Sequence, residues 1–322
     1  MNYRKLGNTD LNVSCLCLGT MTMGWTSGKE DSFAVMDYAV DNGINFFDTA
    51  DVYSRWAEGN EGGVAETWIG EWLTSRQARD KVIIATKARG RMWEGPDGEG
   101  LSRAHLMRAV EDSLRRLQVE RIDLYQSHWP DEETPLEETF RAFEDMIQQG
   151  KVRYVGCSNH TPAQLKKALA VSAGQGLPRY ESLQPHYNLV HRHEYETDLM
   201  GICRRENLGV IPYSSLAGGF LTGKYRRDKG APAGSRGHGN DRMRAYMNEQ
   251  GYAITDVLAE IAEAHDATPA QTAIAWLLAN PTITSAIIGA NTASQLADTL
   301  EAAELELSSE EKERLDKMES PA

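Results

Sequence analysis

The sequence lacks the long apolar and basic segments that mark membrane, secreted and nucleic-acid-binding proteins. It contains no run of eighteen apolar residues, and Met1–Asp10 is polar, so we expect neither a transmembrane helix nor a signal peptide. No dense Lys/Arg run occurs and the formal net charge is −13, which argues against nucleic acid or an acidic membrane as the main partner. We therefore expect a cytoplasmic protein in which an anionic ligand requires a locally basic pocket.

Cysteine is scarce, and its spacing does not suggest a metal or disulfide site. Cys15, Cys17, Cys157 and Cys203 form no C-x-x-C pair, and the first two alternate within an apolar run. A zinc site would also need histidines or acids at ligand spacing. We expect reduced packing residues and no metal, and we interpret the histidines at 186, 191 and 193 as structural or solvent-facing.

The G-x-G-x-x-G motif of open dinucleotide-binding sheets is also missing. It should follow the first strand, where the chain instead reads CLGTMTMG over residues 17–24. This absence disfavours a doubly wound open sheet, even though strands and helices alternate along the whole chain.

The alternation itself predicts a closed barrel. The predicted strands are Val13–Gly19, Ile44–Asp48, Val82–Lys87, Ile122–His128, Val152–Ser158, Ser182–Gln184, Val210–Tyr213 and Ser285–Gly289. The predicted helices between and after them are Asp31–Asn42, Val64–Arg79, Ser102–Gln118, Leu136–Gln149, Pro162–Ala173, Glu194–Asn207, Ala270–Ala279 and Ala293–Ala303. Eight such units favour an α/β fold of the (β/α)8 TIM-barrel type, as one domain over residues 1–322.

Additions to the repeats are predicted at both ends of the chain. Leu6–Leu11 places a turn between two short extended runs and predicts an N-terminal β-hairpin that plugs the bottom of the barrel. Gly251–His265 and Ser308–Met318 predict extra helices towards the C-terminus. The long connections Gly90–Gly100 and Ala217–Asn240 are expected to cover a ligand.

Nearly every predicted strand ends in a polar or small residue. In a (β/α)8 barrel the carboxyl ends of the strands carry the active site, so these residues should converge on one cleft. They are Gly19, Thr20, Asp48, Lys87, His128, Ser158, Asn159, Gln184, Tyr213, Ser214 and Gly289.

Asp48, Tyr53, Lys87 and His128 form a set that suits the polarisation of a carbonyl group. A lysine charge beside a phenol is expected to lower the pKa of the phenol, and an aspartate paired with the lysine keeps it protonated. Tyr53 then becomes a proton donor, while His128 can hydrogen-bond the same substrate oxygen. Ser158, Asn159 and Gln184 offer partners for a nicotinamide carboxamide, and Tyr213 offers a flat face for its ring.

These residues lie in an ordered series of motifs that resembles the aldo-keto reductase superfamily, near its bacterial and potassium-channel β-subunit branches. The motifs are FFDTADVY, ATKA, SHWPD, VGCSN, LQPHYN, IPYSSLAGGFLTGKY and IIGA, and they span essentially the whole chain. The resemblance implies a reductase of aldehydes or ketones that uses NADPH and no metal. It implies a tetrad of Asp48, Tyr53, Lys87 and His128, with Tyr53 as the acid.

The resemblance also implies the cofactor contacts. The carboxamide ligands become Ser158, Asn159 and Gln184, the stacking ring Tyr213, and the pyrophosphate clamp Ser214, Leu216, Gly218 and Lys224, with adenosine contacts at Gly289, Asn291, Gln295 and Asp298. The chain departs from its relatives at Asn291, where they often carry a cation. Discrimination of NADPH from NADH needs a cation or several donors on the 2′-phosphate. Lys224, Arg226 and Arg227 are candidates to supply that cation, so we favour NADP(H) and expect NAD(H) to be usable.

The substrate and the rate of turnover are harder to predict. Trp25, Trp56, Trp93 and Trp129 fall in predicted loops and are candidates for the wall of a substrate pocket for a small carbonyl compound. A cofactor-binding redox sensor or regulatory subunit with slow turnover is an alternative function. A Schiff-base lyase that uses Lys87 is a further alternative, disfavoured by the Asp48 and Tyr53 partners because they favour a charged lysine.

Overall fold

Parallel strands curl into a barrel around an apolar interior. The computed structural model describes residues 1–227 and 241–321. Within them the strands are β1 Tyr3–Lys5, β2 Asn12–Ser14, β3 Leu16–Gly19, β4 Phe46–Asp48, β5 Ile83–Ala88, β6 Ile122–Ser127, β7 Val152–Ser158, β8 Tyr180–Gln184, β9 Gly209–Val210 and β10 Ala286–Ile288. Eight of them form one sheet in the order β10-β3-β4-β5-β6-β7-β8-β9. Backbone hydrogen bonds from Thr284 and Ile287 to Val210 and Pro212 join its two edges. The (β/α)8 prediction is confirmed.

Helices follow the strands in the predicted order and surround the sheet. In the described part of the chain they are α1 Lys29–Asp41, α2 Val64–Arg76, α3 Arg103–Leu117, α4 Leu136–Gln148, α5 Pro162–Gln175, α6 Met200–Glu206, α7 Asp241–Tyr246, α8 Glu249–Ala264, α9 Pro269–Leu278, α10 Ala293–Leu300 and α11 Ser309–Asp316. Their ends carry the expected signals. Thr161 and Thr268, for example, each cap a helix that begins with proline and has glutamine at the third position, a reciprocal capping box.

The N-terminal hairpin closes one end of the barrel. β1 and β2 pair antiparallel around the turn at Leu6–Leu11. Leu6 and Val13 are fully buried, and they pack with interior residues of the barrel such as Phe46 and Leu124. The hydrophobic effect therefore seals the amino-terminal end of the barrel.

Some boundaries differ from the predicted ones. The run Val13–Gly19 is split at Cys15, because its first part pairs with β1 whereas Leu16–Gly19 pairs with β10 and β4. The strand predicted at Val210–Tyr213 ends at Val210, and a π-helical turn at Tyr195–Leu199 precedes α6. In the loop predicted at Ala217–Asn240, residues 228–240 lie outside the described residues.

Parallel pairing aligns the strand ends that carry the polar side chains. Gly19 pairs with Asp48, and Ser158 pairs with Gln184. Lys87 lies beside Gln126 on the next strand. The registry therefore brings residues that are far apart in sequence to one end of the barrel.

Two helical glycines provide a test of how closely the helices pack around the barrel. A methyl group on Gly70 of α2 would overlap the carbonyl oxygen of Arg116 and lie 2.6 Å from the carbonyl carbon of Leu117, both at the end of α3. Gly174 of α5 has no atom within 4 Å of such a methyl group. We expect Gly70→Ala to lower the free energy of unfolding by about 1–3 kcal/mol through overpacking. Gly174→Ala, the matched control, should raise it by about 0.5–1 kcal/mol. Urea denaturation measures both, and a Gly70→Ala protein as stable as wild type would contradict the close approach of α2 and α3.

Candidate active site

A buried lysine connects the predicted catalytic residues. The Lys87 ammonium on β5 donates hydrogen bonds to Asp48 Oδ2 at the end of β4 (2.7 Å), to the carbonyl oxygen of Thr49 (2.8 Å) and to Tyr53 Oη (2.9 Å). Lys87 is 0% exposed and Asp48 is 2% exposed. All three ammonium hydrogens therefore have acceptors, and the contact holds the Tyr53 hydroxyl at the mouth of the barrel.

Two glutamines hold the carboxylate of this ion pair in place. Gln184 Nε2 and Gln126 Nε2 donate to Asp48 Oδ1 at 2.8 and 3.2 Å. Burial acts to lower the pKa of Lys87, but Asp48 and Tyr53 raise that pKa above its usual value overall. Lys87 is thus an ammonium group at neutral pH and a poor nucleophile, which argues against imine chemistry. Gln126 was not among the site residues predicted from the sequence. A glutamine within a buried strand was a signal for it, because a buried amide needs a hydrogen-bond partner.

Burial and the Lys87 charge act in opposite directions on the acidity of Tyr53. The half-buried Tyr53 has Lys87 Nζ 4.8 Å from its ring centroid. Burial raises the pKa of the phenol, and the Lys87 charge, which lowers it, only partly offsets this effect. The Lys87 charge thus acts on the pKa in the expected direction, but burial outweighs it. The phenol stays protonated over a wide pH range. Since Oη accepts from Lys87, its own hydrogen remains available to a ligand.

His128 stands beside Tyr53 as a neutral imidazole. It is 6% exposed, its ring centroid lies 5.8 Å from that of Tyr53, and it stacks on Trp129 at 3.8 Å. Burial lowers the pKa of His128 well below its usual value, and the Lys87 charge adds to this. Its buried Nδ1 has no hydrogen-bond partner among the described residues.

The predicted carboxamide ligands form a connected group on β7 and β8. Ser158 Oγ donates to the carbonyl oxygen of Gln184 (2.8 Å), and Asn159 Nδ2 donates to Ser158 Oγ (3.0 Å) and to the carbonyl oxygen of His128 (2.9 Å). Asn159 has a positive φ of 59°, which turns its side chain towards the loop after β6. The Gln184 NH2 group is engaged by Asp48, so Gln184 Oε1 is the atom that can face a ligand.

Tyr213 adjoins this group beyond the end of β9. Its hydroxyl donates to Asn159 Oδ1 (2.8 Å). His186 stacks on the Tyr213 ring at 5.1 Å with an interplanar angle of 13°, and His191 stacks on His186 at 3.9 Å. His186 therefore covers one face of the Tyr213 ring.

The loop after Tyr213 has the features of a phosphate cradle. Ser214, Gly218 and Gly219 have positive φ values of 61°, 66° and 99°. A methyl group on Gly219 would lie 3.1 Å from Lys224 Nζ, so this cation lies over the loop, and no carboxylate of the described residues pairs with it. The leucine predicted in this set, Leu216, packs against the core. A cation over a glycine-containing turn fits a pyrophosphate.

The predicted adenosine segment is anchored to the loop after β3. Thr26 Oγ1 donates to Asn291 Oδ1 (2.9 Å), and the Asn291 backbone N–H donates to Gln295 Oε1 (2.9 Å). Gln271 of α9 donates to the backbone carbonyl of Asp298 (2.7 Å). Gly289 lies near the carbonyl oxygen of Gly19, where a methyl group would be 3.7 Å away. Thr20, the other predicted residue of this strand end, donates through Oγ1 to the carbonyl oxygen of Asp48 (3.0 Å).

One cation proposed for the 2′-phosphate is engaged elsewhere. Arg227 pairs with Asp256 (2.8 Å) and Glu249 (3.3 Å) of α8 and lies over the Tyr252 ring at 5.2 Å. These contacts hold its guanidinium against α8. Asn291 itself supplies an amide without charge.

Three of the four loop tryptophans surround Tyr53 and His128. Trp56 packs edge-on against Tyr53 (6.2 Å) and Trp25 (5.7 Å), while Trp129 stacks on His128. Trp25, Trp56 and Trp129 are 43%, 48% and 41% exposed, among the most exposed large apolar side chains described. Trp93 instead packs on His105 (4.8 Å) and Arg108 (4.0 Å) of α3.

Two further kinds of feature are absent from residues 1–227 and 241–321. No helix there is long and apolar enough to cross a membrane. The same residues contain no group of three or more His, Cys, Asp or Glu side chains that could hold a metal ion.

Comparisons with known proteins agree with the fold. The family model described as the Aldo/keto reductase family matches residues 15–320. The chain is 39% identical over 316 residues to the uncharacterized oxidoreductase YrpG of Bacillus subtilis (strain 168), covering 96% of this chain and 93% of that protein. It is 36% identical over 311 residues to the L-glyceraldehyde 3-phosphate reductase of Escherichia coli (strain K12), covering 94% and 87%. It is also 33% identical over 317 residues to a probable voltage-gated potassium channel subunit beta of Arabidopsis thaliana, covering 95% and 92%. The chain belongs to the aldo/keto reductase family.

Proposed function

We propose that the protein is an NAD(P)H-dependent oxidoreductase that reduces aldehydes or ketones to alcohols, with Tyr53 as the general acid. The observation that carries the proposal is the contact of one buried ammonium, that of Lys87, with both Asp48 Oδ2 and Tyr53 Oη. A relative is named as an oxidoreductase and another as a reductase of an aldehyde, which supports the same reaction class.

Each residue of the tetrad has its own role in the reduction of the carbonyl group. The Tyr53 hydroxyl donates its proton to the carbonyl oxygen as negative charge develops there. The Lys87 ammonium stabilises the phenolate that remains, and Asp48 keeps the ammonium charged and in position. Neutral His128 can donate a hydrogen bond to the same oxygen without adding a second positive charge beside Lys87.

A nicotinamide cofactor would supply the hydride when bound. Ser158, Asn159 and Gln184 would hold its carboxamide and Tyr213 would stack on its ring. The loop of Ser214, Leu216, Gly218 and Lys224 would hold its pyrophosphate, and residues Gly289, Asn291, Gln295 and Asp298, with Gly19 and Thr20 nearby, would hold its adenosine end. The chain of hydrogen bonds from Asp48 through Gln184 and Ser158 to Asn159 would fix the carboxamide relative to the acid.

Tyr53→Phe tests the acid. The substitution removes the donated proton and keeps the ring, so kcat for an aldehyde should fall by at least about 10². Cofactor affinity, measured by fluorescence titration, should barely change. Tyr154→Phe is the matched control, because that phenol bonds Asp10 away from the site and its loss should leave kcat unchanged. Near wild-type reduction by the Tyr53→Phe protein would assign the acid to another residue.

We further propose that Trp25, Trp56 and Trp129 form the wall of the substrate pocket. They are the exposed aromatic side chains that contact Tyr53, His128 or each other. Trp93 was predicted with them, but its packing on α3 argues for a structural role.

Trp25→Ala and Trp129→Ala should change kcat/KM unequally for aromatic and short aliphatic aldehydes. A lost pocket contact changes transition-state binding by about 1–3 kcal/mol, and the larger substrate should lose more. Trp93→Ala is the matched control and should leave the aromatic-to-aliphatic ratio of kcat/KM unchanged. Equal effects of the first two substitutions on all aldehydes would show that these side chains are scaffold.

For the cofactor we favour NADP(H) and propose only modest discrimination against NAD(H). A charge-assisted hydrogen bond to the 2′-phosphate contributes about 1.5–3 kcal/mol, but Asn291 and Gln295 supply no charge. Arg227 is held by Glu249 and Asp256. Of the three candidate cations, this leaves Lys224, which lies over Gly219, and the exposed Arg226.

Asn291→Arg should raise kcat/KM for NADPH relative to NADH by about tenfold or more, because the guanidinium adds a charge-assisted hydrogen bond to the 2′-phosphate. Asn291→Gln, which adds length without charge, should leave the ratio near that of wild type. A wild-type preference for NADPH above about 10³ that neither substitution changes would place the phosphate elsewhere.

A second candidate function is a cofactor-binding redox sensor or regulatory subunit with slow turnover. It is favoured by the similarity to a probable potassium channel subunit. The tetrad geometry fits both functions, and steady-state turnover on a panel of aldehydes separates them. Tight cofactor binding with negligible turnover on every aldehyde would favour the sensor.

A further inference from the structure

We propose that Arg89 is an anion-binding residue of the substrate pocket, and that the protein acts on carbonyl compounds that carry a carboxylate or a phosphate group. This inference rests on the proposed function and narrows its substrate class. Arg89 lies directly after β5, two positions beyond Lys87, and the tetrad does not use it.

The backbone places Arg89 between the loops that carry Tyr53 and His128. The Ala88 carbonyl accepts a hydrogen bond from the His128 backbone N–H (3.0 Å), and the Arg89 carbonyl accepts one from Gly100 (2.9 Å). On the other side, a methyl group on Gly90 would lie 3.0 Å from Cγ2 of Val52, the neighbour of Tyr53. Arg89 is therefore part of the rim around the acid and the imidazole.

The guanidinium of Arg89 has no internal role in the described structure. Its side chain is half-buried and its Nε atom is buried without a hydrogen-bond partner. No hydrogen bond or ion pair joins the Arg89 side chain to any residue in 1–227 or 241–321. Its loop neighbour Arg91, in contrast, is paired with Glu99. A buried N–H without a partner costs about 1–3 kcal/mol, and a ligand that accepts from it would remove that cost.

The backbone of Arg89 is also strained. Its φ is 148°, a value that L side chains rarely adopt. Such a conformation costs on the order of 1–3 kcal/mol and persists mostly at functional sites. An arginine that is strained, half-buried and unpaired is hard to explain by packing alone.

The position of Arg89 points to the substrate rather than to the cofactor. β5 is separated from β9 by β6, β7 and β8, and the proposed pyrophosphate loop follows β9. Arg89 is next to the Tyr53 and His128 loops, close to where the carbonyl would bind. The planar guanidinium fork matches carboxylate and phosphate oxygens, and it supplies the locally basic site that a chain of net charge −13 needs for an anionic ligand.

A pair of aldehydes, one with a free carboxylate and one with the same group masked as a methyl ester, tests the proposal. The pair is 4-carboxybenzaldehyde and its neutral methyl ester, and the readout is the ratio of kcat/KM for the acid to that for the ester. Intrinsic reactivity cancels when this ratio is compared between proteins. Arg89→Met should lower the ratio by about 10- to 100-fold, the value of a charge-assisted hydrogen bond, mostly through KM for the acid. Arg89→Lys should retain part of the wild-type preference for the acid over the ester. Arg91→Met, the matched control in the same loop, should leave it unchanged.

A measurement on the wild-type protein does not depend on the folding of any variant. Added NaCl should raise KM for the acid and leave KM for the ester nearly constant, because salt screens a charge pair at the rim. The ratio of kcat/KM for glyceraldehyde 3-phosphate to that for glyceraldehyde gives the corresponding preference for a phosphate group. Comparison of this ratio with the acid-to-ester ratio shows whether phosphate or carboxylate is the preferred group.

The outcomes separate this inference from the proposed function. If the wild-type protein reduces the ester but neither Arg89→Met nor salt changes the acid-to-ester comparison, Arg89 does not bind the substrate anion and the inference is wrong. If the wild-type protein binds the cofactor but reduces no aldehyde, the proposed function fails and the inference fails with it.

Discussion

The buried ion pair of Lys87 and Asp48 is the interaction on which the rest of the site depends. Removing two charges from water costs several kcal/mol per ion, so the pair is tolerated only with good geometry and full hydrogen bonding. The structure meets that condition. Lys87 has three acceptors, and Asp48 Oδ1 receives two glutamine NH2 groups. The same bonds join β4, β5, β6 and β8. The hydrogen bonds that the buried ion pair needs therefore connect four of the eight strands at the mouth of the barrel.

Burial and charge act in opposite directions on the acid. Burial alone would make Tyr53 too weak an acid, and a fully solvated lysine would exert little effect on it through water. The buried ammonium limits the rise in the pKa of the phenol while remaining fully charged. His128 is neutral for the related reason that burial and the same ammonium both disfavour its cation. Burial therefore keeps both neighbours neutral, while the one charge limits the rise in the pKa of Tyr53 and adds to the fall in the pKa of His128.

The barrel divides the site into two sides that share the loop after β3. The loops of β7, β8, β9 and β10 carry the residues assigned to the cofactor, and the loops of β4, β5 and β6 carry Tyr53, Arg89 and His128. The loop after β3 touches both sides, since Thr26 bonds Asn291 (2.9 Å) and the Gly24 carbonyl accepts from Asn60 (2.8 Å). Trp25 lies in that loop, so the proposed pocket wall is connected to the segment assigned to adenosine.

The amino-acid sequence by itself determined the order of strands and helices, the barrel and the polar residues at the strand ends. Periodicity reports which face of an element is buried, and parallel strands bring their carboxyl ends together, so Asp48, Lys87 and His128 could be placed in one cleft before any coordinates. Only the tertiary structure decided which groups pair and which effect dominates. Arg227 pairs with α8, Trp93 packs on α3, and Arg89 has no partner in the described part of the chain, because each outcome depends on residues distant in sequence. The direction of the Tyr53 pKa shift likewise could not be predicted from the sequence. It depends on whether the effect of burial on the pKa exceeds the opposite effect of the Lys87 charge at 2.9 Å.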